Sequence, residues 1–113
     1  MTCIFCKIAA GEVPTDFVYQ DELVVAFRDI RPLTPSHVLV VPREHIPSLW
    51  ELDNPALGGA ILAAATKVAH IEGLEMGFRV ITNAGQHGRQ EVPHLHFHVV
   101  GGAPLGPMLR ERD

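Results

Sequence analysis

Apolar positions recur at two distinct periods along the chain. Phe17 to Gln20 and Leu23 to Arg28 are rich in β-branched and aromatic residues and are separated by the tight polar link Asp21-Glu22, a pattern that predicts a β-hairpin. The segment Ile30-Arg-Pro-Leu-Thr-Pro-Ser-His37 carries two prolines, which cannot donate in a ladder, so it reads as a loop. It leads into a third strand, His37-Val-Leu-Val-Val-Pro-Arg43. Over residues 55–72 the period changes: Leu57, Ile61, Ala64, Ala65, Val68 and Ile71 lie at helical spacing, with Asn54 as N-cap, Pro55 at the first helical position and Gly73 just past the end. Gly58 and Gly59 inside its first turns allow another backbone to pack closely, or simply let the N-terminal turn fray.

Beyond the helix, Phe78 to Asn83 predicts a strand, Asn83 to Pro93 a glycine-bearing loop, and His94 to Val100 a last strand ending at Gly101-Gly102. The order β-β-β-α-β-β, with short links or one helix between strands, predicts an α+β domain: a five-stranded antiparallel sheet, one long helix and a short turn or helix at the N-terminus. Residues 1–113 are expected to form a single domain, because no repeat, low-complexity tract or linker interrupts them.

Composition narrows the class of partner. Apolar residues make up 47% of the chain and charged ones 19%, which supplies a core and excludes the disordered class. Nine basic against thirteen acidic side chains give a formal charge of −4, so no basic field is available to hold a polynucleotide. With no cationic leader before a long apolar stretch and no apolar run of spanning length, the chain reads as cytoplasmic and without a membrane partner. The two cysteines, Cys3 and Cys6, have a spacing that suits a metal or a redox pair better than a structural disulfide.

The most informative stretch is His94-Leu-His-Phe-His-Val-Val100. In a strand the side-chain period is two, so His94, His96 and His98 share one face while Leu95, Phe97 and Val99 point to the other. A solvent face that happens to carry histidine accounts for one such residue and poorly for three in strict alternation. Two chemistries remain open, a multi-imidazole metal site and a nucleophile flanked by donors. A single catalytic metal held by all three is strained, since ligands at i, i+2 and i+4 spread over about 13 Å of strand. The loop Asn83-Ala-Gly-Gln-His-Gly-Arg-Gln-Glu-Val-Pro93 favours the nucleophile: its glycines let N–H groups approach an anion, and Asn83 and Gln90 add neutral donors.

Four separated motifs in order, Cys3 to Ile8, Ala26 to Pro32, Thr34 to His45, and the histidine row with Gly101-Gly102, resemble the histidine triad superfamily, in particular its Hint branch of nucleotide phosphoramidases. The resemblance implies a two-step reaction. The middle histidine, His96, attacks the α-phosphorus of a purine ribonucleotide conjugate, and water then hydrolyses the nucleotidyl-histidine. It further implies that the carbonyl of His94 orients His96, that His98 donates to phosphoryl oxygens, that Asp29 accepts from the ribose hydroxyls and that Ile30 lies against the base. Residues 89 and 91 depart from the eukaryotic pattern of glycine and serine: Arg89 either contacts a phosphate or a terminal charge of the substrate or is simply solvated, and Glu91 stands where the eukaryotic serine assists the leaving group, which leaves the leaving-group donor open.

With His45 and His94, the two cysteines would complete a Cys₂His₂ set suited to a structural Zn²⁺, a set similar to that of zinc-binding superfamily members. The resemblance also implies a homodimer joined through the long helix and an adjoining strand, and here the helix carries Leu62 and Ala69 off its main apolar stripe. The favoured substrate is an AMP-lysine type phosphoramidate. Dinucleoside polyphosphates present the same α-phosphate and ribose, and a non-catalytic nucleotide- or partner-binding module is the alternative of another class. His70 and His87 are expected in solvent.

Overall fold

The computed structural model describes residues 3–109. Its elements in chain order are α1 (Ile4–Ala9), β1 (Phe17–Gln20), β2 (Val24–Arg28), β3 (Ser36–Pro42), α2 (Pro55–Ile71), β4 (Phe78–Ile81) and β5 (Phe97–Gly101), with one 3₁₀ turn at Leu49–Glu51. The five strands form one sheet in the order β1-β2-β3-β5-β4, every neighbouring pair antiparallel. Fold class, element types and element order are those expected from the sequence.

Local chemistry accounts for the junctions. The Asp21 carboxylate accepts from the backbone N–H groups of Leu23 and Val24, each at 2.8 Å, and from the Tyr19 hydroxyl at 2.7 Å, which closes the β1–β2 hairpin. Oδ1 of Asn54 accepts from Ala56 N and Leu57 N, satisfying two of the free donors at the start of α2, and Gly73 ends the helix with φ +69°.

Side-chain alternation splits the core across the two faces of the sheet. Val24, Ala26, Val38, Val40, Leu95, Phe97 and Val99 pack beneath α2. Val25, Phe27, Leu39 and Val41 face the other way and are covered by Phe5 and Ile8 of α1. Along α2 the buried stripe ends at Val68 and Ala69, whereas Ile71 is exposed. Ile71 therefore leaves the predicted stripe and Ala69 joins it, the core contact being continued past the helix end by the buried Leu74.

The strand ends also differ from the predicted ones. Leu23, Arg43, Thr82 and Asn83 lie outside strands, and β5 opens at Phe97 rather than His94. Pairing of β3 with β5 stops at Val40↔Phe97; extending it would bring Leu95 opposite Pro42, which has no N–H to donate. The chain is carried instead by Leu95 N donating to Ile46 O and by the Thr82 hydroxyl donating to His96 O at 2.8 Å. Among the described residues no helix is long and apolar enough to cross a membrane.

Candidate active site and metal centre

His94, His96 and His98 lie on one side of the chain although only His98 belongs to β5. The Phe5 ring meets the rings of His94 and His96 edge-on at 5.9 and 5.1 Å, and His96 stands 5.2 Å from His98. Leu95, Phe97 and Val99 point into the core on the other side, as the alternation requires.

Each ring has a defined hydrogen-bond partner. Nδ1–H of His96 donates to the carbonyl oxygen of His94 at 2.7 Å, which leaves the Nε2 lone pair free. Nε2–H of His94 donates to Pro42 O at 2.8 Å, so its Nδ1 is the free nitrogen. Burial holds His94 and His98 below the ordinary imidazole range, and the neighbouring imidazoles act in the same direction. Both rings are thereby held neutral.

Tertiary structure adds a fourth histidine that was not singled out as a site residue. His37 is buried on β3, two strand positions from Leu39, which pairs with His98. Leu33 N–H donates to Nδ1 of His37 at 3.1 Å, so the His37 proton sits on Nε2, 2.8 Å from Nδ1 of His98. His98 accepts there and keeps its own proton on Nε2. Burial depresses His37, opposed by Asp29, whose Oδ2 stands 3.5 Å from Nε2. Asp29, His37 and His98 offer three atoms close enough for a metal, but Leu33 N–H occupies the nitrogen of His37 that would have to carry its proton in such a complex. The signal for His37 in the sequence is its place in the alternation of β3; which strand it would face was not readable there.

Asp29 is half-buried and accepts from Arg31 N at 2.8 Å, and Ile30 beside it is 93% exposed. In the loop, the Asn83 amide donates to Gly88 O, and Gln90 accepts from Gly85 N while donating to Pro47 O and Val92 O. These amides brace the loop from within, and Gln90 also anchors it to the segment after β3 through Pro47. Gly88 is required by close approach, since a Cβ there would lie 2.4 Å from Ala84 O. Arg89 is exposed with φ +62°, a left-handed conformation that costs a non-glycine residue about 1 kcal/mol, which explains the glycine of the eukaryotic pattern. Glu91, His70 and His87 are exposed.

Cys3, Cys6, His45 and His94 converge from the N-cap and first turn of α1, the loop after β3 and the start of the triad. Their ligand atoms all lie within 4.8 Å of one another. Nδ1 of His94 is 3.3 Å from Cys3 Sγ, 3.5 Å from Cys6 Sγ and 3.2 Å from Nδ1 of His45, which is 3.3 Å from Cys6 Sγ. Tetrahedral zinc with bonds of about 2.0–2.3 Å needs ligand separations of roughly this size. The donor set fits, and the Nε2–H of His94 is tied to a carbonyl as a metal-bound imidazole requires. Burial, together with the adjacent Cys3, raises the Cys6 thiol.

Fold and histidine row together define an enzyme, a histidine triad hydrolase. The chain belongs to the HIT domain family, whose sequence pattern matches residues 10–105. The HIT family hydrolase from Clostridium thermocellum superposes with a TM-score of 0.91 at 44% identity, over 96% of this chain and 97% of that one. A purine nucleoside phosphoramidase from Escherichia coli (strain K12) is 50% identical, covering 96% of this chain and 94% of its own. A 14 kDa zinc-binding protein from Brassica juncea is 42% identical over 90% of this chain and 94% of its own length.

Proposed function

We propose that the protein cleaves the P–N bond of purine nucleoside phosphoramidates through a covalent nucleotidyl-His96. The observation that carries this reading is the 2.7 Å bond from His96 Nδ1–H to the His94 carbonyl, which presents Nε2 as an unprotonated nucleophile. The phosphoramidase relative at 50% identity supports the substrate class.

In the first step Nε2 of His96 forms a bond to the α-phosphorus as the P–N bond breaks and the leaving nitrogen takes up a proton from water. In the second, water adds to phosphorus, the N–P bond to His96 breaks with its electron pair returning to Nε2, and the proton lost by the water passes to solvent, releasing the nucleotide. His98, with its proton on Nε2, donates to a phosphoryl oxygen, and His37 is the positioning residue that holds it in that tautomer. Asp29 accepts from the ribose hydroxyls and Ile30 covers the base. Asn83 and Gln90 act through the loop they brace, and Arg89 meets phosphate from its rim.

Zn²⁺ on Cys3, Cys6, His45 and His94 would play a structural part, tying α1 to the segment whose carbonyl orients His96. We further read the protein as a homodimer. Leu62 on α2 and Phe78, Val80 and Ile81 on the edge strand β4 are exposed apolar residues on adjoining elements, and an uncovered edge strand invites pairing. Ala69 lies in the core and takes no part.

The test is intact-mass spectrometry after mixing with an adenosine phosphoramidate and denaturing at alkaline pH, where phosphohistidine survives. A mass gain of one adenylyl group that maps to His96 is expected; turnover with no adduct at any time would overturn the covalent route.

A further inference from the structure

Glu72, at the C-cap of α2, places a carboxylate at the negative end of the helix dipole, where local electrostatics disfavour it. Its side chain is nonetheless only 8% exposed. A charge so placed needs partners, and two are present. The Arg28 guanidinium grips it in bidentate fashion, with Nη2–H donating to Oε2 at 2.7 Å, and the Ser36 hydroxyl donates to Oε1 at 2.8 Å. Arg28 holds the Glu72 carboxyl below the usual carboxylate range; burial opposes this and Ser36 assists it.

The two partners flank the segment that carries the nucleoside contacts. Arg28 is the last residue of β2 and Ser36 the first of β3, and residues 29–35 between them hold Asp29, Ile30 and the Leu33 N–H that sets the His37 tautomer. Strand alternation turns Arg28 and Ser36 toward α2 and His37 to the opposite face. Asp29 follows Arg28 and His37 follows Ser36; Asp29 N–H donates to His37 O at 3.0 Å, and Asp29 Oδ2 stands 3.5 Å from His37 Nε2. From beneath the sheet, one carboxylate therefore ties together the two strand ends that present Asp29 and His37. Segment 29–35 lies outside the ladder, so its direction is set where it leaves the sheet and where it returns.

We propose that Glu72 is a positioning residue for the ribose site: by gripping Arg28 and Ser36 it fixes both stems of segment 29–35, and the preference for ribose over deoxyribose at Asp29 depends on it. The inference rests on the phosphoramidase reading, with Asp29 at the ribose, and adds the residue that enforces that contact from the far side of the sheet.

An adenosine phosphoramidate and its 2′-deoxyadenosine counterpart, turned over in competition, give a ratio of kcat/KM that is independent of how much of the protein is folded, because both substrates meet the same molecules. The protein as purified should favour the ribose conjugate about 10-fold or more, the size of one hydrogen bond to a charged acceptor. Glu72→Ala should bring that ratio to about three or below. Arg28→Ala, at a side chain 60% exposed and outside the core, should lower it in the same direction, and the double substitution should go no lower than Glu72→Ala alone. A parental ratio in Glu72→Ala would overturn the positioning role and leave ribose recognition in place; should that variant fail to fold, a parental ratio in Arg28→Ala decides the same way. A parent that treats the two conjugates alike would remove Asp29 from the ribose and this inference with it, and no turnover of either would overturn the phosphoramidase reading as well.

Discussion

Nε2 of His37 lies 2.8 Å from Nδ1 of His98, and the proton between them belongs to His37 because Leu33 N–H occupies its other nitrogen. One backbone donor in the loop before β3 thus decides which nitrogen of His98 faces outward as a donor. Replacing His37 with phenylalanine removes that control, and kcat should fall roughly 10- to 100-fold with little change in KM, as for an orienting partner rather than a binding group. Steady-state kinetics on an adenosine phosphoramidate measures the split; a rise in KM at constant kcat would place His37 in ground-state binding instead.

His96→Ala should abolish turnover by several orders of magnitude while AMP still binds within a few-fold of the parent, since the substitution removes the nucleophile and few nucleotide contacts. Calorimetric titration with AMP, beside the rate assay, checks both halves. Residual activity within ten-fold of the parent would remove His96 from the covalent step.

About one zinc per chain is expected by elemental analysis, and Cys3→Ser or Cys6→Ser should lower that content. If the ion contributes only ~3 kcal/mol, chelation moves Tm down by roughly 10 °C or more at this chain length. A Tm indifferent to chelator would make the four residues a metal-free packing cluster.

Burial lowers the imidazoles of His37 and His98, so both have folded values beneath the unfolded value near 6.5. As pH falls through 6.5 the unfolded chain binds protons that the folded chain refuses, and stability must drop; above that value both states are neutral and the effect vanishes. Urea midpoints should therefore rise from pH 5 to pH 7 and then level off. His37→Phe should have a shallower rise than the parent, and an equal slope would show that His37 does not couple to folding in this window.

Leu62 is 56% exposed on α2, whereas its neighbour Ile61 is fully buried, so Leu62→Glu tests association and Ile61→Glu would test only the core. Sedimentation equilibrium should give twice the 12.4 kDa chain mass for the parent and the single-chain mass for Leu62→Glu at micromolar concentration. A parent that sediments as the single chain would end the dimer reading.

Periodicity in the chain was enough for the hairpin, the long helix with its Asn54 cap, the element order and the one-sided row of His94, His96 and His98, because these follow from local φ/ψ preference and from a side-chain period that needs no partner. The four separated motifs were enough for the family. Strand ends were not legible: β5 begins at Phe97 because Pro42, more than fifty residues earlier, has no N–H to offer opposite Leu95, and a missing donor matters only once two strands are paired. Nor could the sequence say that Asn83 and Gln90 bond within their own loop, that Gln90 also ties that loop to Pro47, or that His37 reaches His98 across the sheet. Residue type and spacing determine which groups are present and which face of an element they occupy. Only strand order and register decide which nitrogen meets which acceptor, because a hydrogen bond that sets a tautomer depends on tenths of an ångström between segments distant in the chain.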